Sequence, residues 1–459
     1  MRRNLRALAT LAVIPFALAA CSSASSSASS GTVADSSALV KGTTLTYWLW
    51  DTNQLGAYQK CADAFTAKSG INVKVEQYGW NDYWSTLTND FVAGTAPDVF
   101  TDHLSQYPTF ADQKQILDIA PLVKKDNVDL SIYQSGLADL WVTADGKRYG
   151  LPKDWDTVGL FYNTDMATAA GLTADDMKNL AWNPTDGGTY EKAIAALTID
   201  KNGVHGNQPG FDKTNVATYG LGLAGSGGGF GQTEWSEYAM SNGFQYADKN
   251  PWGTKWNYDS TALADTMTWW RSLITKGYMP SLAVATSGVS LQETYGAGGS
   301  AMVTEGDWNT NAYMTLKGVK TAVAPTPVGP DGKRASVFNG LADSIFVGTK
   351  HPNESWAWVK FLGSAQCQDI VAGEAVVFPA VKSSLAKAET AFTAKGYDMS
   401  AFTVHVTDGT THLAPIAKHW PELDALMKAA GETFLSFKGG TEVYSEANKQ
   451  VNALFANDK

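Results

Sequence analysis

The sequence predicts an α/β protein with parallel-rich sheets, organised in more than one domain. Two observations carry this expectation. Strand-like and helix-like segments alternate from residue 45 onward, and 459 residues exceed what one hydrophobic core usually organises. Composition agrees with a globular chain, at 44% hydrophobic and 17% charged residues. No apolar run after residue 20 is long enough to span a bilayer.

The folded part opens with Leu45-Thr46-Tyr47-Trp48-Leu49-Trp50, which reads as a strand. Leu55, Tyr58, Ala62 and Phe65 follow at helical spacing, and Gly70 ends that helix. Ile71-Asn72-Val73-Lys74-Val75 alternates as a second strand, and after another helical stretch Pro97-Asp98-Val99-Phe100-Thr101 reads as a third. This order predicts parallel strands joined by crossover helices. Ligands of such sheets sit beyond the carboxyl ends of the strands, where the chain places Asp51, Asp102 and His103.

Gly159-Leu160-Phe161-Tyr162 makes a further strand and residues 189–197 a helix. Leu263, Met267, Trp270 and Ile274 share one face of a helix over 261–276, with Gly277 as its cap. Trp269 and Trp270 read as core, whereas Trp252 and Trp256 fall in a Pro/Gly loop without a clear place. Ala301-Met302-Val303-Thr304 is a strand leading into Glu305-Gly306-Asp307-Trp308, and Asn353 is the expected N-cap of the helix carrying Trp356. Two helices, over 421–437 and 441–457, close the chain on either side of Gly439-Gly440.

Ahead of the folded part, Arg2, Arg3 and Arg6 precede an apolar segment over 7–20 that ends in Leu18-Ala19-Ala20-Cys21. These are the parts of a secretory signal. The Ser/Ala-rich residues 21–42 lack the apolar groups needed to fold and read as a tether with a span of roughly 26 Å. Removing residues 1–20 takes away three Arg and no acid, so the formal charge moves from −10 to −13. That balance speaks against nucleic-acid binding and against a polybasic membrane patch. Cys61 and Cys367 then remain in an oxidising compartment, either bridged or as two buried thiols.

Two further motifs fail on inspection. Asp200-Lys201-Asn202-Gly203 begins like a calcium loop, but its twelfth position is Phe211 where a Glu belongs, so a plain turn is expected. Gly225-Ser226-Gly227-Gly228-Gly229 lacks the Lys-Ser/Thr of a phosphate loop. The six His are dispersed, and neither metal nor cofactor is expected.

Several segments resemble, in order, extracellular solute-binding proteins of carbohydrate ABC transporters, the maltose-binding-protein-like group. They are Gly94-Thr95-Ala96-Pro97-Asp98-Val99-Phe100, Tyr149-Gly150-Leu151-Pro152, Leu160-Phe161-Tyr162-Asn163, Gly299-Ser300-Ala301-Met302 running to Gly306-Asp307-Trp308, and Asn339-Gly340-Leu341-Ala342-Asp343-Ser344-Ile345. Leu18-Ala19-Ala20-Cys21 is likewise similar to a bacterial lipobox, which implies multiple acylation of Cys21 and an outward-facing membrane anchor. The resemblance implies a two-lobed periplasmic-binding-protein-like fold with three crossover segments forming a hinge. Residues 43–154 plus 342–378 would form one lobe, and 155–341 plus 379–459 the other. Both remaining cysteines then fall in the first lobe, which favours a Cys61–Cys367 disulfide.

The implied function is capture of an oligosaccharide between the lobes and delivery to membrane permease subunits, by a monomer without enzymatic activity. Sugars present C–H faces rimmed by hydroxyls, so their sites combine flat aromatic surfaces with carboxylates and amides. On that chemistry and the matching positions, the expected ligand-binding residues are Trp50, Asp51, Asp102, His103, Trp155, Asp156, Asp307, Trp308, Asn339 and Trp420. Paired carboxylates among tryptophans also suit a secreted glycoside hydrolase, although no single pair stands out. A receptor for peptides or other solutes on the same scaffold is the remaining alternative.

Overall fold

A computed structural model describes residues 39–456. The signal segment, Cys21 and most of the tether lie outside the described residues. Twelve strands occur among them, in chain order β1 (Thr44–Leu49), β2 (Asn72–Gln77), β3 (Val99–His103), β4 (Leu151–Asp156), β5 (Val158–Asn163), β6 (Ile199–Asp200), β7 (Val216–Leu221), β8 (Ser300–Gly306), β9 (Thr321–Ala324), β10 (Ser336–Ile345), β11 (Phe378–Pro379) and β12 (Thr411–Leu413). They form two sheets. One runs β11-β4-β10-β3-β1-β2, with β12 beside β10, and the other runs β6-β7-β8-β5-β9. The α/β class and its two-lobed form are as expected.

Parallel pairing holds where crossover helices connect consecutive strands, so β1 lies parallel to both β2 and β3. It does not hold throughout. β10 returns antiparallel to β3 and β4, and β5 is antiparallel to both neighbours in the second sheet.

The helix Thr52–Ser69 starts at Asp51, whose carboxylate accepts from the backbone N–H of Asn53 at 2.8 Å. It ends at Gly70 with φ 76°, a left-handed conformation that suits glycine. Its inner face buries Tyr58, Cys61 and Phe65, and Cys61 is disulfide-bonded to Cys367 on the helix Ala365–Glu374. The two Cα atoms lie 5.2 Å apart across a separation of 306 residues.

The chain passes between the two sheets at β4–β5 and again at β9–β10. β4 belongs to the first sheet, β5 to the second, and Thr157 alone separates them. Trp155 of β4 lies opposite Gly340 of β10 on one side and Phe378 of β11 on the other. Beneath them Lys153 and Asp343, each 1% exposed, stand 3.5 Å apart. Lys153 Nζ also donates to Tyr47 Oη and Thr101 Oγ1, both at 2.9 Å, tying the connecting strands to β1 and β3.

Some local expectations shift. The helix carrying Trp356 spans Pro352–Leu362 with His351 at its N-cap, so Asn353 lies inside the first turn. Pro352 supplies the preset φ for that first turn. Asp200 caps a turn, accepting from the N–H groups of Asn202, Val204 and Asp212. Among the described residues no cluster of His, Cys, Asp and Glu could hold a metal ion. Trp269 and Trp270 are core, and Trp256 is buried against Tyr258.

Candidate functional site

A cleft of about 1050 Å³ opens between elements of the two sheets. Its first wall begins where β1 ends. Trp50 is half-buried there and packs edge-to-face on Trp80, with ring centroids 5.1 Å apart. Trp84 stands one helical turn on from Trp80, within the helix Trp80–Ala93, and its ring lies 5.2 Å from Trp50. Trp80 keeps 44% of its surface exposed. Asp51 lines the same wall while capping its helix and accepting from Gln54 Nε2, so capping and lining coexist in one side chain.

The floor comes from the strands that join the sheets. Asn339 Nδ2 lies 2.9 Å from His103 Nε2 and donates to Asp156 Oδ2 at 3.2 Å. Gln232 Nε2 reaches Asp156 Oδ1 from the opposite wall at 2.7 Å. Burial holds His103 far below the usual imidazole range, at about 3, so the ring is neutral at physiological pH. Burial pushes Asp154 up to about 7, and burial with the neighbouring Asp154 raises Asp156.

The second wall carries Trp308 in the turn Asp307–Asn309, directly after β8. Its indole lies over Gly306, where an added Cβ would fall 1.9 Å from the ring, so only glycine permits this approach. Trp420, at the start of the helix Trp420–Leu435, meets Phe230 edge-to-face at 6.2 Å. Glu234, Glu305 and Asp424 face the cleft between these aromatics. Asn53 Nδ2 donates to Asn309 Oδ1 at 3.2 Å, a contact from wall to wall.

Eight of the ten expected residues line this cleft: Trp50, Asp51, His103, Trp155, Asp156, Trp308, Asn339 and Trp420. Asp102 does not. β3 continues through His103, so positions 102 and 103 fall on opposite faces of the strand. Asp102 is fully buried, accepts from Ser344 Oγ and the His103 N–H, and is pushed up to about 8 by burial. Asp307 also stays outside the lining, because its Oδ1 turns back to accept from the Thr157 N–H at the joint between the sheets. Trp155 touches the cleft but offers no free face, since its ring is stacked between Phe338 and Phe378.

The sequence reading missed Trp80, Trp84, Phe230, Glu305 and Asp424. Spacing was the available signal for most of them: Trp80 and Trp84 share a helix face, as do Trp420 and Asp424. Glu305 adjoins the motif that pointed to Trp308. Phe230 sits in the glycine cluster with no pattern to mark it.

Residues 60–398 match the family model of the bacterial extracellular solute-binding proteins. The chain belongs to that family. As a solute-binding protein it is similar to the maltodextrin-binding protein MdxE of Bacillus subtilis, with 23% identity over 412 residues covering 86% of this chain and 85% of the relative. A maltooligosaccharide ABC transporter solute-binding lipoprotein of Streptococcus pneumoniae is 25% identical, covering 72% and 71%. Among solved structures, the ABC substrate-binding protein of Listeria monocytogenes in complex with cycloalternan superposes with a TM-score of 0.77 at 19% identity, over 90% and 99% of the two chains. The GacH receptor of Streptomyces glaucescens gives 0.73 at 19%, over 91% and 100%. No helix among the described residues of this solute-binding protein is long and apolar enough to cross a membrane.

Proposed function

We propose that this solute-binding protein captures an oligosaccharide outside the cell and delivers it to the permease of an ABC importer. The observation that carries the reading is the cleft itself, with tryptophan faces on both walls and carboxylates and amides between them. Its volume of about 1050 Å³ lies at the top of the range for small-ligand sites, roughly 300–1,000 Å³, which favours several sugar rings over one. The relatives named for maltodextrin and maltooligosaccharide binding support the same class.

In this reading residues 43–154 plus 342–378 move as one lobe and 155–341 plus 379–459 as the other. Thr157 and the neighbouring β10 and β11 are the hinge, and closure on the sugar creates the surface that the permease recognises. Lipidation of Cys21 would hold the monomer at the membrane by its tether, keeping its effective concentration near the permease high. A thermal-shift screen of the mature protein against α- and β-linked di- to tetrasaccharides tests the reading. At least one should raise the melting temperature without being consumed. Stabilisation by peptides alone, or release of shorter sugars, would overturn it.

A further inference from the structure

The charge lining the cleft is one-sided. Asp51, Asp154, Asp156, Glu234, Glu305 and Asp424 face it, against the ammonium of Lys428 beside Asp424 and that of Lys153, buried beneath the floor and attracting Asp51 and Asp154, while His103 is neutral. Among the described residues none of the six carboxylates stands in an ion pair. They are held instead by N–H donors, such as Leu341 N to Asp154 Oδ1, Gly306 N to Glu305 Oε1 and Gly229 N to Asp424 Oδ1.

Two acceptors in the floor have no partner at all. Asp154 Oδ2 and Asn339 Oδ1 belong to cleft-lining residues that are 2% and 3% exposed. A buried acceptor left unmatched is costly, so these two positions favour an occupant that brings donors as the cleft closes. A sugar hydroxyl donates one hydrogen bond and asks for others in return, whereas an ammonium brings three donors, a positive charge and no acceptor. Trp50, Trp80 and Trp308 add aromatic surface, which attracts cations as well as C–H faces.

We propose that the sugar bound here carries a protonated amine, an amino-oligosaccharide whose ammonium sits among these carboxylates while its rings pack on the tryptophans. The inference rests on the sugar-binding reading above. Glu305 supports it: burial, with Glu234 and Asp51 nearby, pushes its carboxyl up to about 7, and a cation placed among the three would reverse that repulsion.

The test is calorimetric titration of the mature protein at pH 7 with two matched sets, one α-linked and one β-linked. Each set holds a disaccharide with a primary amine, the same sugar with a hydroxyl there, and its acetamide; spermidine is a sugar-free control. The amine should bind at least about tenfold tighter than its hydroxyl and acetamide counterparts in one set, as expected for charge-assisted bonds replacing neutral ones. Glu305→Gln and Asp424→Asn should each move that ratio toward one. Neutral sugars binding as tightly as the amine would overturn the amine and leave the sugar reading standing. Binding of spermidine without any sugar would overturn both, and binding of nothing in either set would overturn the amine.

Discussion

Trp155 and Trp308 look alike in the sequence, each beside an aspartate near the end of a strand that feeds the cleft, yet the two regions treat them oppositely. In the joining strands Trp155 is 3% exposed, with centroids 5.7 Å from Phe338 and 4.7 Å from Phe378 at interplanar angles of 24° and 16°. Both faces of that indole are already used. On the second wall Trp308 is half-buried and lines the cleft, with its ring resting on Gly306 rather than sandwiched between two aromatic rings. A tryptophan's part in recognition therefore depends on how many of its faces the fold has consumed. The neighbouring strand register decides that, rather than the residue type.

The sharpest way to break this comparison is to truncate the residue whose faces are consumed. Trp155→Ala should cost about 3–5 kcal/mol of unfolding free energy, the usual range for emptying a buried tryptophan site, read as a lower urea midpoint. A midpoint equal to the parent's would mean that the joint does not pack on this ring. Trp308→Ala should do the reverse, leaving the urea midpoint close to the parent's and weakening sugar binding by about 1–3 kcal/mol through loss of one stacking face and its buried area. Unchanged affinity in the folded variant would remove Trp308 from the site.

The same contrast explains what was legible beforehand. Helix boundaries at Gly70 and Gly277 were readable because a left-handed cap is a local demand on one residue, and both glycines adopt it, at φ 76° and 78°. The parallel pairing of β1 with β2 and β3 followed from alternating segments joined by helices. Asp102 was misplaced because a strand end carries no comparable mark, and two residues of extra pairing with Leu341 and Ala342 carried β3 through His103. The stacking of Trp155 was not legible because its partners, Phe338 and Phe378, lie 183 and 223 positions away along the chain, where spacing says nothing. Glu305 and Asp424 escaped notice because their importance is collective. A carboxylate becomes informative only when the fold sets it opposite others without a cation.

A finer test compares carboxylates of the two regions. Asp154 in the joint is 2% exposed and Glu305 on the wall is half-buried, yet burial pushes both up to about 7. Because these values exceed those of the unfolded chain, the native state favours the protonated form. The stabilisation this provides is complete below about pH 4 and is lost as pH rises through about 7. Relative to its own variants, the parent protein should therefore lose stability between pH 5 and pH 8. Asp154→Asn keeps an oxygen for the Leu341 N–H and cannot ionise, so it should gain about 2–3 kcal/mol on the parent at pH 8 compared with pH 5, measured from urea midpoints at each pH. Glu305→Gln should show the same sign with a smaller size, since water can still reach part of that side chain. A larger effect at Glu305 would place the stored repulsion on the ligand-facing wall, leaving the joint electrostatically quiet.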